Sequence, residues 1–137
     1  MKKLAMFFGL AAAVLCGQAQ ADVLINEFHY DNTGGDVGEF VEIAVLQGTT
    51  LSDVTVELYN GNGGASYDLE TADNLTAGAT GVAINGLIYD LFVWNPSSIQ
   101  NGAPDGIAAG SLSGRLDFIS YEGTFTCLLY TSDAADE

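Results

Sequence analysis

Basic residues are scarce in this 137-residue chain, with three Lys and Arg against 18 Asp and Glu and a formal net charge of -15. A nucleic-acid groove needs clustered cations to displace counterions from phosphate, so this composition argues against one. It disfavours docking on anionic lipid for the same reason, because an acidic surface repels it. Histidine is nearly missing too, with His29 the single example. One imidazole cannot supply the usual His-containing metal set of a phosphodiesterase. A serine triad fares no better, since no Gly-x-Ser-x-Gly elbow surrounds any Ser. What the chain does have is apolar content, 48% hydrophobic against 15% charged, which is too much for intrinsic disorder. The length fits one domain.

Both ends are set apart by composition. Lys2 and Lys3, the apolar run Leu4 to Leu15, and the small-x-small site Ala19-Gln20-Ala21 make residues 1–21 a secretory signal, with Asp22 the expected mature start. The apolar run is shorter than the roughly 20 residues of a membrane-spanning helix. A lipoprotein start at Cys16 is disfavoured by Leu15, which stands where a small residue is expected. At the other end, Cys127-Leu128-Leu129-Tyr130-Thr131-Ser132-Asp133-Ala134-Ala135-Asp136-Glu137 resembles one reading frame of a transposase sequencing adapter. Residues 127–137 are therefore expected to be a non-native tail, and the native reading frame is expected to be cut short there. Between the ends, residues 22–126 hold 15 of the carboxylates, Arg115 and His29, and neither cysteine. Disulfides, zinc-thiolate sites and cysteine nucleophiles are thereby excluded from this segment. The signal implies a secreted or periplasmic location.

The internal pattern predicts strands and turns. Val23 to Tyr30 is β-branched and aromatic, then gives way to the turn-rich Asp31 to Asp36. Glu39 to Leu46 carries apolar residues on both faces. Val54, Val56 and Leu58 alternate with Thr55, Glu57 and Tyr59, which predicts a half-buried strand ending at the glycine-rich Asn60 to Gly64. Gly81 to Ile84, Asn85-Gly86, and Leu87 to Asp90 predict a two-residue hairpin, its second strand running on to Trp94 before Pro96. Arg115 to Glu122 is the last expected strand. Short strands at this spacing, with no convincing 3.6-residue period, predict an all-β antiparallel sandwich.

A family resemblance then appears. Leu24-Ile25-Asn26-Glu27-Phe28-His29-Tyr30-Asp31-Asn32, Gly38-Glu39-Phe40-Val41-Glu42-Ile43 and Leu51-Ser52 resemble the opening of lamin-tail-like domains of secreted bacterial proteins. Later matching pieces are Leu58 to Gly64, Gln100 to Ile107 and Phe118 to Gly123. The departure is at Asp53-Val54, where the family usually has Gly-Trp. The resemblance implies an immunoglobulin-like β-sandwich, truncated at its C-terminal end in this chain. It also implies a non-catalytic accessory module at the N-terminus of a larger protein, often an extracellular nuclease or other hydrolase. The expected partner is then a downstream domain of the same parent.

Candidate sites are few. Asp31, Asn32, Asp36 and Glu39 place hard oxygen ligands on a glycine-containing loop, as Ca²⁺ requires, although the spacing is not that of an EF-hand and a solvated turn has the same composition. Asp105 with Asn101 is a second, weaker pair. Glu27 and Glu42 lie within apolar strands and must either face solvent or bond a neighbouring loop. His29 reads as a strand residue near a loop mouth. Trp94, Tyr59, Tyr67, Tyr89 and Tyr121 would form a glycan-stacking platform if they shared an exposed face, or fill the core if they did not. Carboxylate-only catalysis is compatible with the composition. The alternative to an accessory module is a stand-alone secreted binding protein, calcium-stabilised or glycan-binding.

Overall fold

A computed structural model describes residues 21–112 and 116–125. Residues 1–20 of the expected signal, Arg115, Thr126 and the adapter-like tail 127–137 lie outside the described residues. The described chain forms nine strands: β1 (Val23–His29), β2 (Phe40–Leu46), β3 (Val54–Asn60), β4 (Ala65–Thr71), β5 (Thr76–Ala77), β6 (Val82–Ile84), β7 (Leu87–Trp94), β8 (Asp105–Ser111) and β9 (Asp117–Tyr121). Single 3-10 turns at Leu51–Asp53 and Ala72–Asn74 join them.

All strand pairs are antiparallel, and they make two sheets. One runs β1-β2-β7-β5, with β6 also on β7, and the other runs β4-β3-β8-β9. An immunoglobulin constant-type sandwich has the orders A-B-E-D and C-F-G. Here β1-β2-β7-β5 corresponds to the first and β3-β8-β9 to the second, with β4 added beside β3. The fold is therefore an antiparallel β-sandwich with immunoglobulin-like strand order.

Alternation along the strands explains how the sheets meet. Val41, Ile43 and Val45 of β2 face Val54, Val56 and Leu58 of β3 and Ile107 and Ala109 of β8 across a shared core closed by Trp94, Ile99 and Tyr121. Fully burying each large aliphatic side chain contributes about 1.5–3 kcal/mol. A second, smaller cluster lies on the outer face of β3 and β8, where Tyr59 and Ala108 are covered by Leu116, Phe118 and Phe125. Gly106 makes this possible, because a Cβ there would stand 2.8 Å from the Phe118 ring. Tyr59 is thus buried on the face that the alternation assigned to solvent.

The Asn85-Gly86 hairpin forms as the sequence predicts. Both residues have positive φ, 50° and 85°, as a type I′ turn demands. Three strands, β4, the two-residue β5 and β8, carry no such sequence signal. β8 is Asp-Gly-Ile-Ala-Ala-Gly-Ser, buried on both faces, so small residues fit it and alternation vanishes. β4 is a largely polar edge strand with one partner among the described residues, which removes the apolar pattern for the opposite reason.

Candidate functional site

The loops carrying the predicted site residues collect at one end of the sandwich. The β1–β2 loop, the β3–β4 turn, the β7–β8 loop and the segment after β9 all emerge there, since their flanking residues His29, Phe40, Asn60, Trp94, Asp105 and Tyr121 pair at the same ends of the sheets. Two segments that sequence kept apart, Asp31 to Glu39 and Asn101 to Asp105, become neighbours.

Asp36 is the link between them. Its Oδ1 accepts from the Asn32 backbone N–H at 3.2 Å, and its Oδ2 accepts from Asn101 Nδ2 at 3.1 Å. Asn32 Nδ2 in turn donates to the Val37 carbonyl at 2.8 Å, closing the loop on itself. Glu39 reaches further, accepting the Ile99 N–H at 3.0 Å, while Asn95 Nδ2 donates to the Glu39 carbonyl at 3.3 Å. Asp31 is exposed. These oxygens are thus held by protein donors that fasten the β1–β2 loop to the β7–β8 loop. Among the described residues, no group of three or more His, Cys, Asp or Glu is placed to hold a metal ion.

Deeper in the same end sits Asp105, the buried charged residue of the core, 2% exposed. Its Oδ1 accepts the Gly61 N–H at 3.1 Å, whereas its Oδ2 is buried without a hydrogen-bond partner among the described residues. Gly61 is tightly confined, because a Cβ on it would stand 1.9 Å from the Pro104 carbonyl oxygen. Around this pair runs a polar ring. Asn60 Nδ2 donates to Gln100 Oε1 at 2.7 Å, the Gln100 N–H donates to the Tyr67 hydroxyl at 2.9 Å, and the Tyr121 hydroxyl donates to the Gln100 carbonyl at 2.8 Å. Burial pushes both phenols up from their usual range, Tyr121 the further of the two, and the nearby Asp105 carboxylate adds to the effect in each. Both tyrosines therefore serve as neutral hydrogen-bonding groups.

The remaining predicted residues divide between core and surface. Trp94 and Tyr121 are buried in the shared core with Tyr67 half-buried against it, Tyr59 is buried beneath the outer-face rings, and Tyr89 is buried with its hydroxyl donating to the Ala21 carbonyl at 3.0 Å, so these aromatics share no exposed platform. His29 lies half-buried at the end of β1 with its ring beside Phe40. Glu27 is exposed next to a β-bulge at Asn26, whose Nδ2 donates to Glu42 Oε1 at 2.6 Å. A cleft of about 210 Å³ opens elsewhere, lined by Leu46, Gln47, Leu51, Asp90 and Phe92 among others. Asp90 Oδ1 there accepts from Gln47 Nε2 at 2.8 Å and from the Gly81 N–H at 2.9 Å.

Sequence reasoning singled out Asp36, Glu39, Asn101 and Asp105 but missed Gln100 and Tyr67 as members of one network. The signal was slight, because each lies in a loop or edge strand and acquires its meaning from a partner more than 20 residues away. Comparison with family models, with curated proteins and with solved structures finds no match to this chain.

Proposed function

We infer that residues 22–126 form a non-catalytic accessory module of a larger secreted protein, lamin-tail-like in kind. The observation that carries this reading is the use to which the loop-end side chains are put. Asp36, Glu39 and Asp105 each accept from backbone or amide N–H groups of another segment, so the carboxylates hold a framework together. The quoted motifs around Asn26-Glu27 and Glu39 to Ile43, together with the immunoglobulin-like strand order, support the family reading. The apolar run and cleavage site at residues 1–21 support export. In this reading the module's partner is the downstream part of its parent, and an extracellular nuclease or other hydrolase is the expected kind of parent.

Recovering the uninterrupted gene tests this. An open frame continuing past Thr126 into a catalytic domain is the expected result. A stop codon soon after Thr126 would overturn it and leave a stand-alone binding protein.

A further inference from the structure

The sandwich has strand edges, and one of them is guarded differently from the rest. At the β1 edge, the Ile25 N–H donates across to Asp117 Oδ2 of β9 at 2.8 Å, which ties the two sheets together along that side. On the far side of the first sheet, β5 and β6 are two and three residues long, too short to template another strand. The seven-residue β4 is the long edge of the second sheet, pairing among the described residues only with β3. Two of its backbone donors turn away from that partner. The Leu69 N–H donates to the side-chain Oδ1 of Asp68 at 3.0 Å, and the Thr71 N–H donates to Glu70 Oε1 at 2.9 Å. Each edge N–H is thus capped by the carboxylate of the residue before it. Asn74 Nδ2 holds the Glu70 cap in place by donating to the same Oε1 at 2.9 Å.

Between the two caps stands Leu69, 51% exposed. An antiparallel pairing of β4 with itself about a two-fold axis through Leu69 would set Leu69 against Leu69 and bury that leucine. The same register sets Asp68 of each copy opposite Glu70 of the other. Like charges directly across a strand pair are destabilising, and here there would be two such pairs. Glu57, which lies opposite Leu69 on β3, adds a further carboxylate beside the axis. The acids therefore act twice, first by occupying the N–H groups and then by repelling the copy that would take them.

We propose that Asp68 and Glu70 keep the β4 edge closed to a second copy of this chain, and that removing both carboxylates opens it to antiparallel self-pairing centred on Leu69. The occupant is a second copy because the edge is self-complementary in register once its charges are gone, with its apolar residue on the axis. Closing an edge with charged side chains is a known defence against unwanted strand addition.

The test is the mass of the full chain in solution at neutral pH, by sedimentation or light scattering. Wild type is expected at single-chain mass, and the Asp68→Ala, Glu70→Ala double variant at twice that mass, with Leu69 and Thr71 amides slowed in hydrogen exchange. Adding Leu69→Pro to the double variant should restore single-chain mass, since proline removes an outward-facing donor and spares the ladder to β3. If the alanine pair fails to fold, Asp68→Val with Glu70→Val carries the decision, because it removes both the capping oxygens and the like-charge opposition with side chains that favour a strand. Single-chain mass in the folded double variant, a doubled mass that survives Leu69→Pro, or the same dimer in wild type would each overturn the proposal.

Discussion

The two ends of the sandwich use the same residue types to different effect. At the end built from the β1–β2, β3–β4 and β7–β8 connections, Asp105 is buried and Glu39 half-buried, and they hold backbone N–H groups of Gly61 and Ile99. At the opposite end, Asp90 holds Gln47 and Gly81, and Asp22 accepts from the Ser111 hydroxyl at 3.2 Å, beside an open cleft. Water replaces a lost partner easily at the open end and poorly at the buried one. An unsatisfied buried group costs about 1–3 kcal/mol, whereas an exposed hydrogen bond is nearly exchangeable with solvent. A carboxylate's worth to this fold thus depends on which end it occupies.

Substitutions rank the contrast. Gly61→Ala should be the most damaging, because its Cβ would meet the Pro104 backbone oxygen and no flexible side chain can yield. A loss of about 3 kcal/mol is expected, read as a fall in denaturation midpoint. Asp105→Ala strands the Gly61 N–H and should cost about 2 kcal/mol, lowering the melting temperature by roughly 10 °C. A loss no larger than that of Asp90→Ala would break the comparison between the ends.

Tyr121→Phe removes the hydrogen bond to the Gln100 carbonyl and should cost about 1 kcal/mol at neutral pH. Its pH dependence follows from burial, which raises the folded-state phenol above its unfolded value. Stability from the neutral phenol is fully present below the unfolded pKa and is lost as pH rises through the folded one. The gap between wild type and Tyr121→Phe should therefore narrow above about pH 10, as chemical denaturation across alkaline pH would show. At the open end, Asp90→Ala should cost only about 0.5 kcal/mol. The smallest effect is reserved for calcium. Asp36 and Glu39 would have to leave their protein donors to bind it, so millimolar Ca²⁺ should leave the melting midpoint unmoved. A clear upward shift would make the β1–β2 loop an ion site.

Much of the fold was legible because alternation and turn chemistry are local. Val54, Val56 and Leu58 announce an inward face by spacing alone, and Asn85-Gly86 announces its turn by the backbone angles it tolerates. β8 was illegible because a strand buried on both faces between large neighbours selects small residues, and Gly106 is there to admit Phe118 and Phe125. The loop-end network was half legible. Asp36, Glu39 and Asp105 stand out as acids near glycines, but nothing local says that Asp36 meets Asn101, or that Tyr67 and Tyr121 share Gln100.

By itself, the sequence determined an acidic, cysteine-free all-β segment with its hairpin and its alternating strands, because composition and period-two patterning act on each residue and its near neighbours. Tertiary structure alone decided which carboxylates are framework and which are solvated, and that Tyr59 lies under aromatic rings on an outer face. It also decided that Asp68 and Glu70 accept from the Leu69 and Thr71 N–H groups of β4. Those outcomes depend on which strands become neighbours, and the pairings β2–β7, β5–β7 and β3–β8 join strands that are not consecutive in the chain.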